Sequence, residues 1–136
     1  MAAFTFAYDV SPPPPYVGPM PVVLAHFHPI YGGGDFRDRA VLDSGSEVTW
    51  VPNSVPRQHQ WVRRGLANRR VIPIGPRKLI VRQYIVTVQV AGGIWTIPVC
   101  EHTPSSKVQC TLIGQDLLYQ LVASMDGPKK ELRVEL

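Results

Sequence analysis

Val41-Leu42-Asp43-Ser44-Gly45-Ser46 holds the carboxylate best placed for chemistry in this chain. Two apolar residues lead a strand into an Asp-Ser-Gly turn, and Glu47-Val48-Thr49-Trp50-Val51 resume a strand pattern beyond it. Gly45 permits the tight turn, which sets the oxygens of Asp43 within reach of backbone N–H groups and neighbouring hydroxyls. Two carboxylates held in this way can lie close together and share one proton. One then acts as general base on a water molecule while the other polarises a carbonyl as general acid. By itself a row of three small residues means only a turn, so the chemistry depends on what the rest of the chain supplies.

Downstream, Cys110-Thr111-Leu112-Ile113-Gly114-Gln115-Asp116-Leu117-Leu118 is a β-rich run, then a glycine, then the start of an amphipathic helix. The order of Asp-Ser-Gly, a long β region and hydrophobic-hydrophobic-Gly-x-Asp-Leu-Leu resembles the retroviral aspartic proteases, or retropepsins. Val81-Arg82-Gln83-Tyr84 looks like the strand leaving that family's flap, Ala91-Gly92-Gly93 like the next hairpin turn, and residues 94–100 like its return strand. The likeness covers roughly residues 22–125.

The resemblance implies an all-β, closed barrel-like retropepsin fold with one short C-terminal α-helix, active as a symmetric homodimer. It implies an aspartic endopeptidase, without cofactor or metal, that cuts extended apolar segments of a retroviral or retroelement polyprotein. Asp43, Ser44 and Gly45 would form the catalytic turn, Gly45 presenting its backbone to substrate and Ser44 bracing the floor across the twofold axis. Ser46, Glu47, Val48, Trp50, Ile72, Ile74, Leu112 and Ile113 would meet substrate, and Gly75 would let the flap close. Three residues depart from the family pattern. Ser46 replaces the usual alanine, and its hydroxyl is expected to donate a hydrogen bond to Asp43. The flap tip Pro73-Ile74-Gly75-Pro76 is poor in glycine. Gln115 replaces an arginine that would pair with the acid at Glu47.

The dyad needs two carboxylates, yet the chain has a single Asp-Ser-Gly. A C2 homodimer in which each subunit contributes Asp43 is the economical solution, and residues 131–136 are suited to an interface strand.

Several elements must position this turn. Strands are expected over residues 22–30, 39–43, 47–51, 70–90 (a hairpin), 94–100, 107–113 and 131–136, from their apolar alternation and β-branched content. A helix is expected over residues 115–125, where Leu117, Leu118, Leu121, Val122 and Met125 share one face. Residues 22–136 read as the protease domain and residues 1–21 as a proline-rich segment or linker that lacks the apolar pattern needed to join the core, its run of four prolines favouring an extended stretch without a ladder. Within it, Pro13, Pro14, Pro15 and Tyr16 resemble a WW-domain ligand. The rival function is therefore a catalytically weak protease-fold binding module acting through that motif.

Composition narrows the classes further. A chain of 136 residues, 45% hydrophobic, builds one modest core. It has no apolar run long enough to span a membrane and no signal-peptide pattern, and the retroviral resemblance then implies the virion or the cytoplasm of a host cell as the location. Cys100 and Cys110 make no disulfide framework and are expected to be reduced and buried. His26 and His28 share a strand face without another His or Cys at ligand spacing, and read as structural or surface histidines. The net charge of +4 is unevenly spread, with no acid between Glu47 and Glu101. Arg57, Arg63, Arg64, Arg69, Arg70, Arg77, Lys78 and Arg82 fall in that gap. Alternating with Val71, Ile72, Ile74, Leu79 and Ile80, the later ones suit a solvated flap better than a nucleic-acid surface.

Overall fold

Alternation of β-branched residues builds most of this molecule, as the 14 residues of its longest strand show. In the computed structural model, which describes residues 3–63, 69–126 and 129–135, Val86, Val88 and Val90 point inward and are almost fully buried. The intervening residues face outward, as a strand's period of two requires. Two adjacent buried residues, Gln83 and Tyr84, mark a change of phase midway along the strand.

Ten strands and two one-turn helices are formed among the described residues. In chain order they are β1 (Ala3–Ala7), β2 (Val22–Pro29), β3 (Phe36–Leu42), β4 (Thr49–Val51), α1 (Val55–Gln58), β5 (Arg69–Ile74), β6 (Arg77–Val90), β7 (Gly93–Glu101), β8 (Leu112–Ile113), α2 (Gln115–Leu118), β9 (Val122–Asp126) and β10 (Glu131–Glu135). One sheet runs β2-β3-β8-β4-β7-β6-β5, and a further β2–β6 pairing closes its first six strands into a barrel. Closure removes the sheet edges that would otherwise be open to aggregation. Phe27, Val86, Val88, Val99, Ile113 and Leu117 are 0% exposed within it, each contributing about 1.5–3 kcal/mol relative to an exposed position. The all-β barrel expected from the sequence is therefore present.

Outside the barrel, β5 pairs only with the first half of β6, making the flap-like hairpin. Its tip is the two-residue loop Gly75-Pro76, tighter than the expected Pro73-Ile74-Gly75-Pro76. Pro73 and Ile74 are the last residues of β5, and Gly75 takes φ +58, which glycine tolerates without strain.

Three expectations need correction. First, part of the N-terminal segment does join the core. β1 pairs with β10 along Ala3–Ala7, Asp9 bridges to Met20, and Phe6 and Tyr8 pack on the main core. Second, the helix expected over residues 115–125 stops at Leu118. Val122–Asp126 instead pairs with β10, because a short apolar run fits either period and the neighbouring strand decides it. Third, β10 has both edges occupied within the chain, by β1 and β9. Strand addition across a dimer axis would fall to β1 or β9. Arg64, Gly65 and Asn68 of the irregular stretch, and Gly127, Pro128 and Leu136, lie outside the described residues. Among the described residues no helix is long and apolar enough to cross a membrane.

Candidate active site

β3 delivers Asp43. Its last residues, Val41 and Leu42, pair in parallel with Leu112 and Ile113 of β8, and the Asp43 N–H donates to the Ile113 carbonyl at 2.9 Å. The chain then turns sharply. The Ser46 N–H donates to the Asp43 carbonyl at 3.2 Å, and the Gly45 N–H donates to Asp43 Oδ1 at 2.9 Å. One carboxylate oxygen is fixed in this way, while the other, Oδ2, accepts a longer bond of 3.4 Å from the Tyr16 hydroxyl. Burial pushes the Tyr16 phenol up to about 12, with the Asp43 charge adding to the shift. It therefore stays a donor throughout the ordinary pH range.

Ser46 does not face Asp43. Its hydroxyl donates to the Val48 carbonyl at 2.7 Å and accepts from the Trp50 indole N–H at 3.0 Å. The hydroxyl proton is spent on the Val48 carbonyl, so the expected bond to Asp43 is absent.

The segment after β8 clamps the turn from below. Gln115 N–H donates to the Ser46 carbonyl at 2.7 Å, and the Gln115 side-chain amide donates to the Ser44 carbonyl at 2.8 Å. Asp116 accepts from both the N–H (3.1 Å) and the hydroxyl (2.8 Å) of Thr49, which is fully buried. The anchoring carboxylate thus comes from Asp116. Gln115 reaches the turn through its amide, and Glu47 is exposed without an ion pair among the described residues.

Two hollows meet at this turn. The first, about 320 Å³, is lined by Asp43 and Gly45 together with Tyr16, Trp50, Leu79 and Leu112. The second, about 270 Å³, is lined by Gly45, Ser46, Glu47, Val48, Trp50, Ile72 and Pro73. Across the hairpin Ile72 pairs with Leu79, and both pack toward Val48 and Trp50, so the inner face of the β5–β6 hairpin covers the turn. The structure brings together Asp43, Gly45, Ser46, Glu47, Val48, Trp50, Ile72 and Leu112. Ser44 is exposed on the turn. Ile113 does not reach a hollow, being 0% exposed in the barrel core, Ile74 lies 56% exposed near the hairpin tip, and Gly75 is exposed at the tip itself. Of the basic residues, Arg57 bonds to Asn53 and Arg82 lies 3.9 Å from Glu101.

Tyr16, Leu79 and His102 were not foreseen as site residues. Leu79 has a sequence signal, because counting outward from a two-residue tip pairs it with Ile72. His102 stacks flat on Trp50, ring centroids 5.0 Å apart, and its Nε2 donates to the Cys110 carbonyl at 2.8 Å. Burial pulls its pKa below the ordinary histidine range, partly offset by that hydrogen bond. The unfolded chain therefore takes up this proton at higher pH than the folded one does. Stability is fully present above about pH 6.5 and falls as pH drops toward the depressed folded value. His102→Gln, which keeps an N–H donor, is expected to flatten that fall. Urea unfolding at a series of pH values measures it, and parallel pH profiles for the two proteins would contradict it.

No family model matches the sequence, and a search of curated proteins finds no match. Among solved structures, the chain is similar to a retropepsin-like aspartic protease from Rickettsia conorii, with a TM-score of 0.61 and 12% identity over 98% of this chain and 90% of that one. The closed barrel, the strand-delivered Asp43 turn and the hairpin above it are thus the retropepsin-like fold.

Proposed function

We propose that the chain is an aspartic endopeptidase acting on extended peptide segments, with Asp43 from each of two copies forming the dyad. The observation that carries this reading is the setting of Asp43. Its carboxylate is oriented by the Gly45 N–H, opens onto an apolar cleft, and lies beneath a hairpin whose inner face packs over that cleft. Such a cleft suits a peptide bound as a strand, its backbone read by hydrogen bonds and its side chains by alternating pockets. Val48, Trp50, Ile72, Leu79 and Leu112 favour apolar side chains there. Segments of a retroviral or retroelement polyprotein are the substrates first proposed.

A single chain offers half of the chemistry. One carboxylate cannot be both general base and general acid in the same step, so the second must come from a partner. The WW-ligand reading receives no comparable support. Tyr16, the defining residue of that motif, is half-buried on the Val41–Cys110–Leu112 cluster and turned toward Asp43.

The test is cleavage of an extended peptide library, with and without a pepstatin-type inhibitor, repeated across a dilution series. Inhibitor-sensitive cleavage whose rate per chain falls on dilution is expected, since dissociation separates the two carboxylates. Absence of cleavage at every pH and concentration would overturn the proposal. Undiminished activity in a sedimenting monomer would overturn the shared dyad.

A further inference from the structure

The β2–β3 hairpin brings three potential metal ligands to the end of the barrel remote from the catalytic turn. His26 and His28 alternate on β2 and face the same side, their ring centroids 3.9 Å apart. Asp35 comes from the connection just before β3. Its Oδ2 lies 3.0 Å from His28 Nδ1 and 3.5 Å from His26 Nε2, and all three ligand atoms fall within 4.8 Å of one another. Around a tetrahedral ion with bonds of about 2.0–2.1 Å, ligand atoms stand roughly 3.3–3.5 Å apart. Two of the three edges are already close to that length.

The position of Asp35 is not left to a loose loop. Gly34 N–H donates to the His59 carbonyl at 2.6 Å, Val62 N–H donates to Gly32 at 3.2 Å, and the Trp61 indole donates to Gly34 at 2.8 Å. Gly33 sits at φ +120, and a Cβ there would come within 2.7 Å of the Gln60 carbonyl oxygen. This glycine run is therefore pinned against the segment after α1, and it presents Asp35 to the two imidazoles.

We infer that His26, His28 and Asp35 bind one divalent transition-metal ion of the zinc class per chain, leaving a fourth position open to solvent. Two imidazoles and one carboxylate suit zinc, and equally its cobalt surrogate, but not the hard cations calcium and magnesium. Arg37 lies opposite His26 in the ladder and its charge works against a cation, while Asp35 offsets it. β3 is seven residues long, so Asp43 lies roughly 24 Å away along the strand. The ion would act as a clip on the hairpin that carries Asp43, not as a reagent at it.

The test uses tag-free protein titrated with Zn²⁺ against a chromophoric chelator, and with Co²⁺ followed by its visible absorption. One ion per chain is expected, together with a thermal midpoint that rises as free Zn²⁺ is raised. His26→Ala, His28→Ala and Asp35→Asn should each weaken binding at least about tenfold. All three side chains are partly exposed, and thermal melting without metal checks that the variants fold. No saturable binding would overturn the site, as would undiminished binding in the His26→Ala/His28→Ala double variant. Equal affinity for Ca²⁺ would do the same, since it would indicate a mere acidic surface.

Discussion

Asp43→Asn is expected to abolish peptide hydrolysis while leaving the fold in place. In a symmetric dimer the substitution removes both dyad carboxylates at once, since each copy carries the change. An amide neither takes a proton from water nor gives one to a carbonyl under these conditions. General acid–base catalysis contributes about 10²–10⁴-fold, so a loss of at least roughly 10³-fold is expected. The turn itself should survive, because the asparagine Oδ1 can still accept the 2.9 Å bond from the Gly45 N–H. Stability should stay within about 1 kcal/mol of the parent chain. Single-turnover cleavage of a library-selected peptide, paired with urea unfolding, measures both parts. Turnover near the parent rate would remove Asp43 from the chemistry. A collapsed fold would show that the carboxylate's role in the turn is larger than one accepted hydrogen bond.

The residues that make this turn were legible because their information is local. Apolar Val41 and Leu42, a turn at Asp43–Gly45 and a resumed strand pattern lie within a few positions of one another. The alternation in β6 was equally open to reading, and it fixed the barrel wall. Residues contributed from a distance were harder. Tyr16 reaches Asp43 across 27 positions from a proline-rich stretch with no periodic signal, so nothing in its neighbourhood marks it as an active-site neighbour. Ser46 shows the opposite failure. Its place beside the turn suggested a bond to Asp43, but the Val48 carbonyl, two residues on, takes the hydroxyl proton. The end of α2 was undecided by pattern alone, because Val122–Asp126 is short and β10 lay ready to pair with it. Asp35 joins His26 and His28 only once the hairpin register is known, with His26 opposite Arg37 and Phe27 opposite Phe36.

Gly114→Ala should be strongly damaging, and the reason is not backbone conformation. Gly114 has φ −97, which any residue adopts. What it lacks is room. A Cβ there would stand 2.1 Å from the Val48 carbonyl oxygen and 2.8 Å from that of Ser46, both backbone atoms of the segment that follows Asp43. Neither can swing aside as a side chain would. The same turn is tied to the segment carrying Gly114 through Gln115 to Ser46, Asp116 to Glu47, and Asp116 to Thr49. Making space means breaking several of these bonds, at about 1 kcal/mol each, and stranding the buried Thr49 groups for about 1–3 kcal/mol more. The total is several kcal/mol, against a typical domain stability of about 5–15 kcal/mol. Gly75→Ala makes the informative control. Its φ of +58 disfavours a side chain, but nothing lies within 4 Å of its Cβ position, so only the left-handed conformation penalty of about 1–2 kcal/mol applies. Urea midpoints should therefore fall far more for Gly114→Ala than for Gly75→Ala, and peptidase activity should vanish in the former. Equal midpoints would mean that the turn and the β8–α2 segment can separate freely, and that the floor beneath Asp43 is not a rigid clamp.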